Sequence, residues 1–124
     1  MDQVKIRKLL EASESRIVID PQDSDMSTLF PIADMTKFES AWSGSPFYVG
    51  KNGKGGINDR YARFKKYLET GKDIYAPLVY VRDSGVIDFS NGRHRYAVMR
   101  DLSLPIKVAI YNETIDNAKK YGYI

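Results

Sequence analysis

The heptapeptide Asn91-Gly92-Arg93-His94-Arg95-Tyr96-Ala97 constrains the fold of this chain more than any other stretch. It follows the apolar run Val86-Ile87-Asp88-Phe89 and leads into residues spaced as an amphipathic helix. A strand that meets a turn-forming Asn-Gly and restarts at once as a helix fixes a strand–turn–helix unit. The first turn of any helix carries N–H groups without intrahelical acceptors, at the positive end of its dipole. Arg93, His94 and Arg95 add nitrogen donors at the same place, and arginine forks match phosphate or carboxylate oxygens. The stretch therefore reads as an anion site, with a solvated basic turn as the plain alternative.

At 124 residues the chain suits one domain with a single core. It has no cysteine, which excludes disulfides, thiol catalysis and cysteine-based metal sites, and fits a reducing compartment. One histidine rules out a histidine-rich metal site. No apolar run approaches the ~18 residues of a membrane span. The first residues, Met1-Asp2-Gln3-Val4-Lys5, lack an apolar signal-peptide run, so a cytoplasmic protein without membrane contact is expected. The net charge of +3 suits an anionic partner but falls well short of a dedicated nucleic-acid binder. The cations cluster: Lys51 and Lys54 precede Arg60, Arg63, Lys65 and Lys66, while Arg93, Arg95 and Arg100 form a second group.

Periodicity predicts a first helix from Lys5 to about Ser13, then a short strand at Ile17-Val18-Ile19 closed by Asp20-Pro21. Asp23 to Pro31 reads as irregular. Thr36 to Glu39 has capping-box spacing and opens a helix carrying Phe38 and Trp42. A glycine-rich loop fills 43–56, and Asn58 or Asp59 caps a helix to about Thr70 that Gly71 ends. Strands at Pro77–Val81 and Val86–Phe89 are joined through Arg82-Asp83-Ser84-Gly85. A helix over His94–Leu102, a strand over Ile106–Tyr111 and a last helix over Thr114–Tyr121 complete the reading. The fold class is α+β, a mixed sheet of about four strands with helices packed around it. The aromatic and basic tail, Lys119 to Ile124, would dock on the body or on a partner.

The run Pro77–Val81, then Phe89-Ser90-Asn91-Gly92-Arg93-His94-Arg95-Tyr96-Ala97, then Leu102 and Pro105-Ile106-Lys107-Val108, resembles the ParB/sulfiredoxin-like superfamily. The resemblance covers residues 57–110 and leaves 1–56 as an unmatched N-terminal elaboration of one domain. It implies a nucleotide site, with His94 and Arg95 on the phosphate-holding pair and Arg60, Arg63 and Tyr67 contributed by the preceding helix. Spacing alone also puts those three on one helical face. Arg93 stands where a sulfiredoxin carries its catalytic cysteine, which excludes sulfinic acid reduction. Asn91 replaces the aspartate of the related kinase motif and cannot hold a metal or accept a proton as a carboxylate does. No helix-turn-helix follows the motif.

Asp88, one strand position before the motif, is a candidate catalytic carboxylate near phosphates or Mg²⁺, or else an outward-facing strand residue. His94 reads as a cap, a general base or, beside Arg93 and Arg95, a neutral donor to a phosphate oxygen. The loop at Gly50–Gly56 lacks Walker spacing. It is either solvated or a lid with Lys51 or Lys54 reaching inward. Trp42, Phe47 and Tyr48 read chiefly as core, with stacking on a base as the other role. Three classes of function follow. The first is a nucleoside triphosphate-binding protein such as one for ATP or CTP, with Mg²⁺-assisted phosphoryl transfer or hydrolysis, and with Asn91, Gly92, Arg93, His94 and Arg95 on the phosphates. The second is a DNA- or RNA-binding or nuclease module using the same arginines. The third is a non-catalytic partner-binding protein that kept the fold.

Overall fold

The computed structural model describes residues 16–57 and 59–124. The helix expected over Lys5–Ser13 and the capping role of Asn58 lie outside them. The described elements are β1 (Ile17–Val18), β2 (Ser27–Pro31), α1 (Met35–Trp42), α2 (Arg60–Tyr67), β3 (Ile74–Tyr75), β4 (Leu78–Val81), β5 (Ile87–Asn91), α3 (Arg93–Asp101), β6 (Lys107–Tyr111) and α4 (Ile115–Lys120). Four strands form a mixed sheet in the order β2-β6-β4-β5, and β1 pairs with β3 in a small parallel sheet. The protein is therefore a small α+β domain.

The central strands β4 and β6 are the most apolar. Leu78, Val79 and Val81 of β4 and Val108, Ala109 and Ile110 of β6 are all buried, as expected where a strand is covered on both faces. β4 and β6 run parallel, with Val79 opposite Ile110, so the chain crosses from one to the other through β5 and α3. The β4–β5 hairpin forms as its turn residues suggest: the Arg82 amide donates to the Val86 carbonyl at 2.9 Å. On one side of the sheet α1 seats Phe38 and Trp42 against Phe89 and Tyr96, with Trp42–Phe89 ring centres 4.5 Å apart and Phe38–Tyr96 5.3 Å apart. α3 buries His94, Tyr96, Ala97, Val98 and Met99, and α2 packs against it.

Three expectations change. The segment read as irregular contains β2, an edge strand paired with β6 from Ser27 opposite Tyr111 to Pro31 opposite Lys107. Its short core of Thr28-Leu29-Phe30 is framed by turn-forming residues, and its partner is distant in sequence. Ile17–Val18 does form a strand but leaves the main sheet for β3. The cap of α1 is Asp34, whose side chain accepts from the Lys37 amide at 3.0 Å. Thr36 lies inside the helix, and Glu39 turns to the interior instead of back to a cap.

Candidate anion-binding cleft

β5 hands over to α3 through Gly92, which sits at φ 81° with no side chain capping the helix. A Cβ there would lie 2.7 Å from the Pro77 Cα and 2.7 Å from a terminal nitrogen of Arg95. Glycine is thus needed both for the left-handed backbone and for space. The Gly92 carbonyl accepts the first helical bond, from the Tyr96 amide at 2.9 Å. The amides of Arg93, His94 and Arg95 precede that bond and have no intrahelical acceptor.

The helix start opens on a cleft of about 560 Å³. Arg60, Arg63 and Tyr67 reach it from α2, Asn91 from the end of β5, and Gly92, Arg93, His94 and Arg95 from the start of α3. Phe64, Phe89 and Ser90 complete the wall, so four arginines and no carboxylate line it among the described residues. Arg95 is held in place: its Nε donates to the Tyr75 carbonyl at 2.9 Å and Nη2 to Asn91 Oδ1 at 3.1 Å. Burial lowers its pKa from the ordinary arginine value, opposed by the negative charges of Asp20 and Asp23. Arg93 donates to the Phe47 carbonyl at 2.7 Å and lies over the Phe47 ring. Arg63 pairs with Asp59 at 3.0 Å along the same helix, so Asp59 braces α2 by this pair and not by a side-chain cap. Tyr67 stacks on Phe64 and donates to the Asp73 carbonyl at 2.6 Å.

His94 is only 7% exposed. Its Nε2 accepts the Ile57 amide at 3.0 Å, which keeps a lone pair on that nitrogen and places the proton of the neutral ring on Nδ1. Its pKa is lowered by burial first, then by Arg93, Arg60 and Arg95, so the neutral form is favoured. Gly56 lets the loop approach, since a Cβ there would lie 2.9 Å from Nε2.

Asp88 does not join these residues. It pairs with Arg82 at 2.5 Å across the hairpin and lines a separate groove of about 720 Å³ with Lys37, Tyr121 and Tyr123. Lys51 and Lys54 are exposed and do not line the cleft. Their loop is pinned elsewhere, by the Asn52 amide on Asp101 at 2.9 Å and by Ile57 on His94. The tail tyrosines dock on the body: Tyr121 donates to the Asp83 carbonyl at 2.6 Å and Tyr123 to that of Gly85 at 2.5 Å. Phe47 is 64% exposed, contrary to a core role, while Trp42 is buried and Tyr48 half-buried.

Arg100 parts from the group read in the sequence and enters an interior polar network. It donates to the Val49 carbonyl at 2.7 Å and pairs with Asp101 at 3.0 Å and Glu39 at 3.4 Å. Tyr48 and Tyr96 donate to Glu39, and Tyr61 donates to Asp101 at 2.6 Å. Burial alone would raise the Asp101 carboxyl, but donors from Tyr61, the Asn52 amide and Arg100 outweigh it and hold it below the usual range. Burial and Asp101 raise the Tyr61 phenol, and burial and Glu39 raise that of Tyr96. The network ties α1, the glycine loop, α2 and α3 together beside the cleft. The sequence signal was the seven-residue spacing of Arg93 and Arg100, which puts both on the α3 face toward residues 47–49.

No family model, curated protein or solved structure matches the chain. Among the described residues no group of three or more His, Cys, Asp or Glu side chains could hold a metal ion, and no helix is long and apolar enough to cross a membrane.

Proposed function

We propose that this protein is a ParB/sulfiredoxin-like nucleotide-binding domain that holds the phosphates of a nucleotide in the cleft between α2 and the start of α3. The observation that carries the reading is the lining itself: four arginines, a buried neutral histidine and an uncapped helix start, with no carboxylate among the described residues. Guanidinium forks and helix amides are the donors phosphate oxygens require, and a half-buried cleft weakens the competition from water. The volume of about 560 Å³ suits a small ligand. Binding is favoured over phosphoryl transfer, since Asp88 faces another groove and His94 Nε2 is already bonded.

Titration calorimetry with ATP, CTP and GTP tests the reading. Heat with at least one, lost in Arg60→Ala/Arg95→Ala, is expected; no heat with any of them removes it. The exposure of Arg63 and Phe47 favours a second reading, contact with backbone phosphates of DNA or RNA. That reading requires affinity for an oligonucleotide that falls steeply with salt and exceeds affinity for mononucleotides.

A further inference from the structure

The form of anion the cleft accepts follows from the same lining, and it rests on the phosphate-binding reading above. Proteins that hold a Mg²⁺–triphosphate complex commonly supply one or two carboxylates to the metal beside the phosphates. Here the donor set does not fit that ion. No carboxylate lines the cleft among the described residues. Asp59 is held by Arg63 at 3.0 Å, and Asp88 by Arg82 on the other groove. The Asn91 side-chain oxygen, an acceptor on the wall, already receives Arg95.

The charge balance points the same way. Arg60, Arg93 and Arg95 form no ion pair with a carboxylate among the described residues, and only Arg95 feels nearby negative charge, from Asp20 and Asp23. His94 stands on the cleft wall with Nε2 occupied by the Ile57 amide, and the Nδ1–H of its neutral ring has no acceptor among the described residues. Such a donor suits an anionic oxygen and offers no lone pair to a metal ion. Magnesium bound to a polyphosphate withdraws the negative charge the arginines would meet, and it carries water ligands that no group here replaces.

We infer that the cleft selects the metal-free polyanion and that Mg²⁺ opposes binding. The test is calorimetric titration with inorganic tripolyphosphate and with ATP, first in EDTA and then in saturating Mg²⁺ at matched ionic strength. The expected result is binding roughly tenfold weaker with the metal. Ser90→Asp adds a carboxylate at an exposed position of the wall, and it is expected to shrink or reverse that difference with unchanged circular dichroism. Equal or tighter binding of the wild type in Mg²⁺ overturns the inference and leaves phosphate binding standing. Absence of heat with both ligands in both buffers overturns the phosphate reading itself. A folded Ser90→Asp protein with the wild-type response to Mg²⁺ also counts against the inference.

Discussion

Gly92 and His94 each do two things at once. Gly92 supplies φ 81° and leaves room for Pro77 and Arg95, so Gly92→Ala combines strain with a clash. A loss of about 1–3 kcal/mol is expected by urea unfolding, together with weaker phosphate binding because Arg95 must move. His94 links the glycine loop to α3 and faces the cleft. Its folded pKa lies below the ordinary value of 6.5, so above that value folded and unfolded chains are both neutral and the group contributes no pH dependence. As pH falls below it, the unfolded chain takes up the proton first and stability is lost. The urea midpoint of the wild type should therefore drop more between pH 7.5 and 5 than that of His94→Gln; parallel curves contradict this. An anion in the cleft offsets Arg93, Arg60 and Arg95, so phosphate should raise the His94 titration midpoint seen by NMR.

At the level of elements, α3 sorts its arginines by face. Arg93 and Arg100 reach carbonyls of residues 47 and 49, and Arg95 turns to β3. Removing Arg100, 14% exposed, leaves Glu39 and Asp101 unneutralised, and Arg100→Met should cost about 3 kcal/mol in unfolding free energy. Arg60→Ala, at an exposed position on α2, should leave the unfolding midpoint unchanged and weaken phosphate binding; the opposite pattern would reverse the two assignments. Helices α2 and α3 and the β4–β5 hairpin were legible because their signals are local: apolar period, turn residues and Gly92. β2 was not, because five residues gain their strand identity from β6, some eighty positions away. The seven-residue spacing puts Arg100 on the same face as Arg93, but its partners Glu39 and the Val49 carbonyl were hidden, since they come from segments more than fifty positions away. Asp34 was overlooked as a cap because the Thr36–Glu39 spacing imitates a capping box.

Across the whole molecule, positive charge collects where α2 meets α3, although the net charge is only +3. The cleft residues come from segments thirty positions apart, and the resemblance over 57–110 is what grouped them in the sequence; packing of α2 on α3 supplies the proximity. The aromatic tail was legible as a docking segment and its tyrosines do dock on the body, but the 720 Å³ groove beside it had no sequence signal. A compact site of this kind predicts a modest salt dependence for mononucleotide binding, with log affinity falling by far fewer units than for a protein spanning many backbone phosphates. Titrations at 50 and 200 mM KCl check this. The aromatic cluster around Trp42, 1% exposed, sets the stability of the sheet behind the cleft, and Trp42→Ala should cost about 3–5 kcal/mol by urea unfolding.

The most direct test of phosphate binding at this helix start is an amide NMR titration with metal-free inorganic tripolyphosphate. The amides of Arg93, His94 and Arg95 should move together and saturably, accompanied by the side-chain Nε–H signals of Arg60 and Arg95. Saturation with those signals still, or shifts confined to Lys37, Arg82 and Tyr121 around the other groove, would contradict it.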